Sequence, residues 1–303
     1  MIDERTLPVR VVHDDGRLKL ITGGFLARYP ARTRQLYEIH LRQWIGWAML
    51  HGLDPLEARR GHIEAWGRHL GEERALKAST VKGKLNTICG MYRFAAADGL
   101  IEHDPGAYVR RPRIDFVSTT QGLARAQLAD LLKAAEEAGP RTYAWVCLLA
   151  LNGLRIGELM AADVEHLGFE RGYRTIYLPC RKGGKVGTLA LSVRTAWALD
   201  RYVGPRTTGP LLVGDDGLRM RAGAVRRQLR RLVTSIGVTK RITPHSLRHS
   251  FVTTALDAGV PERDLMDSTG HQSPIMLRYY DRNRGGIERN ATHAVSAFIG
   301  AAS

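Results

Sequence analysis

Hydrophobic positions at helical spacing dominate the first third of the chain. Such faces lie at Tyr37, Leu41, Trp44, Ile45 and Ala48 and again at Val81, Leu85, Ile88, Tyr92 and Ala95. Spacings of three and four residues are typical of amphipathic helices, and a shorter helix is predicted between the two over 62–70. The pattern predicts a helical domain over residues 23–108, after a flexible lead over residues 1–22. Core packing is predicted for Trp44, Trp47 and Trp66.

Further along the chain, predicted helices alternate with a short β-hairpin. Paired helices are predicted over 124–138 and 140–152, and another over 222–236. Strand-like runs over 173–178 and 188–191 flank a glycine-containing turn, which is typical of a hairpin. Residues 109–119 lack an apolar period and contain Pro112, so they are predicted to be a linker before a second domain over 120–303. The fold class is therefore predicted as mainly α with a small β-sheet or hairpin.

Charge narrows the range of partners. The chain has 45 Lys and Arg against 30 Asp and Glu, a net charge of +15, and both predicted domains are basic. A strongly basic protein usually meets a polyanion, most often nucleic acid. A solvated basic surface is the alternative interpretation. Candidate DNA-binding side chains outside the predicted buried faces are Lys82, Lys84, Arg93, Arg110, Arg111, Lys185, Arg226, Arg227, Arg230 and Arg231.

Several classes of protein are disfavoured by the composition. No apolar stretch approaches the roughly 20 residues of a membrane helix, and the N-terminus lacks a secretory apolar region. The three cysteines are widely spaced and odd in number, which fits a reducing compartment better than a disulfide framework or a zinc site. We therefore expect a cytoplasmic protein with no membrane partner, no metal site and no cofactor.

The sharpest chemical signal is Thr243-Pro244-His245-Ser246-Leu247-Arg248-His249. Threonine is a good N-cap and proline suits the first helical turn, so a helix is predicted to begin here. His245 and Arg248 then project from one face near a helix N-terminus, which is a favourable place for an anion. Further signals lie in separate motifs, at Arg155 in Gly-Leu-Arg-Ile-Gly-Glu-Leu, at Lys182 in the hairpin turn, at His271 after Gly270, and at Tyr280, nine residues later.

This order of motifs resembles the tyrosine recombinase, or phage integrase, family. The resemblance covers about residues 120–303, and the helical N-terminal part is similar to the family's SAM-like core-binding domain, with less specific motifs. It implies a two-domain, metal-independent enzyme that breaks and rejoins DNA through a 3′-phosphotyrosine. Two departures are Thr269, where the family usually has an apolar residue, and residues 275–277, where it often has threonine.

The resemblance also implies a role for each candidate residue. Arg155 and Arg248 would neutralise the phosphate, Tyr280 would be the nucleophile, and Tyr279 is the alternative nucleophile. His245 would act as a base, and His271 would donate a hydrogen bond. Lys182 would protonate the leaving oxygen, with Lys185 as its rival. Glu158 would orient neighbouring groups, although a plain helix salt bridge with Arg155 is nearly as good an explanation.

Partners and biological role follow from the same resemblance. A recombinase would bind inverted half-sites of double-stranded DNA as monomer or dimer, assemble as a homotetramer and pass through a Holliday junction, with accessory DNA-bending or directionality proteins as possible partners. An apolar tail at Ala294, Val295, Phe298 and Ile299 would dock on its own domain or on a neighbouring protomer. Genome integration, dimer resolution and transposition all fit. The alternatives are a type IB topoisomerase-like enzyme and a non-catalytic DNA-binding protein.

Overall fold

The computed structural model describes residues 15–114, 122–179, 181 and 186–270, together with Thr292, Val295, Ser296 and Ile299. The chain divides into two compact units, Met1–Asp115 and Phe116–Ser303. The division falls within the stretch predicted to be a linker. Within the described residues, no helix combines the length and the apolar character needed to cross a membrane.

The regular secondary structure in the described part of the first unit is helical. Its helices are α1 (Asp15–Ala27), α2 (Ala31–Leu50), α3 (Arg60–Arg68) and α4 (Ala78–Ala97), with a 3₁₀ turn over Pro55–Glu57 and a π turn over His69–Glu73. Helix α4 packs against the other three helices. Its buried stripe includes Val81, Leu85, Ile88, Tyr92 and Ala95, so the predicted helical face is confirmed.

Aromatic side chains fill the centre of this unit. Trp44 donates its indole N–H to the Tyr92 hydroxyl at 2.9 Å, and Tyr92 donates to the Pro55 carbonyl at 2.7 Å. Burial raises the pKa of the Tyr92 phenol, so the ring keeps the proton that it donates. Trp66 meets Trp44 edge-on, with ring centroids 5.4 Å apart. Core packing is confirmed for Trp44 and Trp66, while Trp47 is partly buried and stacks on Trp44.

The predicted flexible lead over residues 1–22 is wrong in its second part. Helix α1 begins at Asp15 and buries Leu18, Ile21 and Phe25 at spacings of three and four residues. The adjacent glycines at 23 and 24 lower helix propensity and hide this pattern in the sequence. Gly24 has a packing reason, because an added Cβ would lie 3.0 Å from the Phe94 ring. Residues 1–14 lie outside the described part of the chain.

The exposed position predicted for Lys84 is also wrong. Lys84 is buried, and its ammonium donates to the Gln43 side chain. Burial and the charge of Arg74 both lower the pKa of Lys84. The position lies three residues after Val81 and four before Ile88, so the long aliphatic stem continues the buried stripe of α4. Lys84 therefore contributes to packing between α2 and α4.

The helical unit extends beyond its predicted end at residue 108. Val109 is buried in the core of the first unit. The backbone N–H of Arg110 donates to the Glu64 carboxylate at 3.2 Å. The predicted linker therefore begins with residues that pack on the helices, and its later residues, from 115 onward, lie outside the described part.

The second unit combines helices with one small sheet. Its helices are α5 (Arg125–Glu137), α6 (Pro140–Ala150), α7 (Ile156–Ala161), α8 (Val193–Val203), α9 (Ala222–Ser235), α10 (Pro244–Asp257) and α11 (Glu262–Thr269). Helix α6 is buried along nearly its whole length and packs against α5, α8 and α10. A central apolar helix therefore organises this unit, and the predicted pair of helices over 124–152 is confirmed.

The sheet has three antiparallel strands in the order β1 (Leu167–Glu170), β2 (Tyr173–Leu178) and β3 (Gly187–Ala190). The predicted hairpin corresponds to β2 and β3, where Ile176 lies opposite Leu189. Strand β1 was not predicted, because its four residues are only partly buried or exposed and give no apolar pattern. The mainly α fold with a small sheet is confirmed.

We expect the Tyr92→Phe variant to destabilise the first unit. The change leaves the Trp44 indole N–H and the Pro55 carbonyl buried without a partner, at a cost of about 1–3 kcal/mol each. For a domain of this size such a loss lowers the Tm by on the order of 10 °C. Calorimetry of the full chain tests this, with Tyr108→Phe as control because Tyr108 is 82% exposed. Equal Tm values for the two variants would contradict the assigned hydrogen bonds.

Candidate active site

The helix predicted at Thr243 begins there. The Thr243 hydroxyl accepts from the backbone N–H of Ser246 at 3.2 Å, and Pro244 occupies the first turn of α10. The two candidate residues of this turn differ in exposure, since His245 is exposed and Arg248 is buried. The capped helix therefore presents an imidazole to solvent and holds a guanidinium beneath it.

Arg155 lies where the chain turns from α6 into α7. Gly153 allows this turn, with φ of 62°, and an added Cβ there would meet the Phe251 ring at 2.4 Å. Arg155 is the N-cap of α7. The Glu158 carboxylate accepts from the Arg155 backbone N–H at 2.8 Å and from its side-chain Nη1 at 2.7 Å. Glu158 therefore fixes both the helix start and the direction of the guanidinium.

Three arginines converge on the carboxyl end of α11. Arg181 donates to the Ser268 carbonyl at 3.0 Å, Arg248 to the Thr269 carbonyl at 2.5 Å, and Arg155 to the Gly270 carbonyl at 3.3 Å. The last carbonyls of a helix lack helical partners and carry partial negative charge. Three successive carbonyls thus hold three cations that come from distant parts of the chain.

The end of α11 is shaped to receive these side chains. Gly270 caps the helix with φ of 64°, and an added Cβ would lie 2.8 Å from Arg181 Nη2. Thr269, the polar residue at a position that is usually apolar in the family, is fully buried. Its hydroxyl donates to the Leu265 carbonyl at 2.6 Å, so the departure costs no unsatisfied group.

Arg248 also joins α10 to the turn before α7. Its Nη1 donates to the Gly153 carbonyl at 2.5 Å, while Nη2 holds the Thr269 carbonyl. One buried side chain thereby links the three segments that carry Arg155, His245 and the end of α11. This arrangement supports the prediction that the separate motifs form a single site.

The electrostatic environment keeps His245 neutral. Partial desolvation of the ring by the surrounding protein, followed by the positive charges of Arg248 and Arg155, lowers the pKa of His245 below its usual value of about 6.5. A neutral imidazole can accept a proton, whereas an imidazolium cannot. At neutral pH, His245 is therefore in the form that a general base requires.

Four predicted site residues lie outside the described part of the chain. They are Lys182, Lys185, His271 and Tyr280, and the alternative nucleophile Tyr279 lies there too. The structure does describe their neighbours, because β2 and Arg181 precede Lys182 and the arginine-bound end of α11 precedes His271. The roles of these four residues stay predictions.

The predicted arginine band lies on α9. Arg226, Arg227, Arg230 and Arg231 are exposed, and within the described residues none pairs with a carboxylate. Two of them help line a cleft of about 560 Å³ that reaches the start of α10, with polar and charged lining residues Arg226, Arg230, Lys240, Arg241 and Thr243. This concentration of positive charge next to the His245 turn is suited to an extended polyanion.

The other DNA-binding candidates belong to the first unit. Arg93 and Arg110 are exposed, and Lys82 is partly buried. Arg111 donates to the Val109 carbonyl and, at 3.4 Å, to the Asn86 side chain. Arg93 and Arg110 are therefore accessible to a polyanion, Arg111 is tied to its own unit, and Lys84 is withdrawn from the set.

Sequence reasoning did not identify Arg181 as a site residue. Its side chain lies 3.7 Å from the Glu158 carboxylate and donates to the Ser268 carbonyl, 87 residues away. The only available signal was its position directly before Lys182. Neighbouring sequence could not reveal the contact, because both partners are distant along the chain.

Comparison with known proteins identifies the family. The family model described as "Phage integrase family" matches residues 121–285. A tyrosine recombinase XerD from Mycobacterium leprae is 31% identical over 224 residues, covering 68% of this chain and 70% of the relative. A tyrosine recombinase from Pseudothermotoga lettingae is 25% identical over 254 residues, covering 81% of this chain and 85% of the relative.

Solved structures share the fold. The Tn1549 transposon integrase, solved in complex with transposon right end DNA, matches with a TM-score of 0.72 and 20% identity, covering 91% of this chain and 99% of that one. A lambda integrase fragment matches with a TM-score of 0.68 and 19% identity, covering 86% and 96%. The family match across more than half of its length and the XerD relative show that the chain belongs to the phage integrase family of tyrosine recombinases.

Proposed function

We propose that this protein is a site-specific DNA recombinase that cuts and rejoins strands through a 3′-phosphotyrosine at Tyr280. The observation that carries the proposal is the convergence of Arg155, His245 and Arg248 around the end of α11. The match to the phage integrase family continues to residue 285 and so includes Tyr280. The relatives named tyrosine recombinases support the same reaction.

The two arginines address the main obstacle in the reaction. A phosphodiester repels nucleophiles because it is negatively charged, and further negative charge develops as the attacking bond forms. Guanidinium groups stabilise that charge best when they are held in place beforehand. Arg155 is 24% exposed and can reach a phosphate directly, whereas Arg248 is 2% exposed and adds positive charge from beneath.

Tyr280 needs help to become a nucleophile. A free phenol has a pKa of about 10 and is protonated at neutral pH. His245, with its lowered pKa, accepts the phenol proton as Tyr280 attacks phosphorus. His271 donates a hydrogen bond to the phosphate or to the nucleophile. The attack forms the tyrosyl–phosphorus bond and releases the 5′-oxygen of the next nucleotide.

The released 5′-oxygen takes a proton from Lys182, and Lys185 is the rival donor. In the reverse step a 5′-hydroxyl attacks the phosphotyrosine and restores the DNA backbone. If that hydroxyl comes from a second duplex, the strands are exchanged and a Holliday junction results. The energy of the broken bond is kept in the phosphotyrosine throughout.

Double-stranded DNA with inverted half-sites is the proposed partner. The matched lambda integrase fragment was solved as a dimer bound to a core site, and the arginine band of α9 supports similar contact here. Two such dimers would form a tetramer in the bacterial cytoplasm, with accessory DNA-bending proteins where required. Exchange of the C-terminal tail would close that assembly, and Val295 and Ile299 in the tail are exposed.

A recombinase is favoured over a topoisomerase because the matched relatives are named recombinases. The two activities separate in a simple assay. A recombinase joins strands from different duplexes, whereas a type IB topoisomerase reseals its own duplex as a monomer. Rapid relaxation of any supercoiled plasmid by dilute protein, without strand transfer, would favour the topoisomerase.

Covalent capture on DNA tests the assignment of Tyr280. Sheared bacterial genomic DNA is incubated with the protein, denatured in detergent, and the protein-linked fragments are sequenced. We expect the unsubstituted chain to enrich a site with inverted half-sites. Tyr280→Phe should bind that site with equal affinity and form no covalent adduct, because it lacks the attacking oxygen. Tyr279→Phe is the matched control, and loss of the adduct in that variant alone would transfer the role to Tyr279.

The pKa of His245 can be measured without DNA. By NMR, we expect the imidazole to titrate below pH 6.5, with neutral imidazole above the midpoint. Arg155→Gln should raise the midpoint, because it removes one of the charges that oppose protonation. Part of the lowering of the pKa should persist, since partial desolvation of the ring is its largest cause. Arg174→Gln serves as control, and a midpoint that does not respond to Arg155→Gln would contradict the proposed coupling.

Removing charge from α9 should change the salt dependence of DNA binding. Each lost phosphate contact lowers the slope of log K against log salt by about 0.9, so Arg226→Gln with Arg230→Gln should lower it by about 1.8. Fluorescence anisotropy with a duplex of the captured site measures this. The matched control replaces Arg171 and Arg201, which are exposed on the β1–β2 turn and on α8. An equal loss in both double variants would show a nonspecific charge effect.

A further inference from the structure

Arg181 is one of the three arginines at the end of α11. It is nearly buried and has no part in the chemistry described above. Its side chain is 11% exposed, and Nη2 donates to the Ser268 carbonyl at 3.0 Å. Two glycines leave room for the guanidinium. An added Cβ would lie 3.2 Å from Nη1 at Gly187 and 2.8 Å from Nη2 at Gly270. The chain therefore provides a closely fitted position for this side chain.

Arg181 shares the carboxylate of Glu158 with Arg155. Arg155 Nη1 lies 2.7 Å from Glu158 Oε1, and Arg181 Nε lies 3.7 Å from the same oxygen. Arg181 Nε is buried and makes no hydrogen bond to a described residue, so this contact acts through charge. Glu158 is 3% exposed, and water therefore screens the charges weakly.

The net charge of the group formed by Arg155, Glu158 and Arg181 depends on Arg181. Arg155 and Glu158 alone would form a neutral pair, and a phosphate would be attracted to it only weakly. With Arg181 the group carries a net charge of +1. The Ser268 carbonyl accepts a hydrogen bond from Arg181 Nη2 and keeps the guanidinium in place. Arg181 can therefore attract the Glu158 carboxylate without moving.

We propose that Arg181 is a positioning residue for DNA cleavage. It attracts the Glu158 carboxylate and so keeps the positive charge of Arg155 available to the scissile phosphate. The inference rests on the proposed function, because it assigns Arg155 to that phosphate. It adds a cation that acts through Arg155 and does not itself touch DNA. Arg181 also links the end of β2 to the segment before His271 through a single side chain.

Two substitutions separate charge from shape. Arg181→Gln keeps an N–H donor for the Ser268 carbonyl but removes the charge, while Arg181→Lys keeps the charge without the fork. The substrate is a duplex oligonucleotide of the site enriched by genomic capture. We expect Arg181→Gln to slow single-turnover adduct formation by about tenfold or more, and Arg181→Lys to recover most of the rate. DNA affinity, measured with Tyr280→Phe present, should not change.

A substrate with a neutral scissile group provides a second measurement. A methylphosphonate at the cleavage position removes one negative charge, so the reaction depends less on positive charge in the site. The rate ratio between the unsubstituted chain and Arg181→Gln should then fall toward one. An equal ratio on phosphate and methylphosphonate would overturn the proposal, because a purely structural role slows both substrates alike.

Arg174→Gln is the matched control. Arg174 lies on β2, is 21% exposed and pairs with Asp200 at 2.9 Å, and we expect its loss to leave both rates unchanged. If Arg181→Gln lowers the Tm, Arg181→Lys becomes the deciding variant, and an Arg181→Lys rate as slow as that of Arg181→Gln, at a normal Tm, overturns the proposal. If the unsubstituted chain forms no adduct with any fragment, the proposed function fails as well. If it forms one as slowly as Arg181→Gln does, only the role of Arg181 fails.

Discussion

Attraction between three guanidinium groups and three successive backbone carbonyls is the constraint on which the rest of the site depends. The carbonyls of Ser268, Thr269 and Gly270 end α11, where the helix has no further N–H groups to offer them. The arginines come from the β2 end, from α10 and from the N-cap of α7. A helix end thus holds these three segments together.

Such an arrangement places strict demands on the backbone nearby. Gly153 must turn with positive φ while its carbonyl accepts from Arg248 and its Cα faces the Phe251 ring. Gly270 must do the same at the end of α11, against Arg181. A side chain at either position would push an arginine or its support away. The glycines of the two motifs therefore have a packing reason that is separate from chemistry.

The features of the site that sequence alone predicts are those set by local sequence patterns. The spacing of His245 and Arg248, and the cap at Thr243, follow from helix geometry, so sequence alone predicted them. Arg181 was missed because its partners, Glu158 and Ser268, are distant along the chain and the contact exists only in the folded state. Lys84 was misplaced because its charge suggested exposure, although its aliphatic stem continues the buried stripe of α4. Helix α1 was missed because its paired glycines lower helix propensity.

The described site holds more positive than negative charge. Arg155 and Arg181 share one buried carboxylate, Glu158, so these three side chains carry a net charge of +1. Unbalanced buried charge is costly, and the helix carbonyls offset part of that cost with partial charges only. A phosphate would supply the full negative charge that the carbonyls lack. Under the proposed function, this excess of positive charge would favour binding of a phosphate and, still more, of the transition state, in which the phosphate carries additional negative charge.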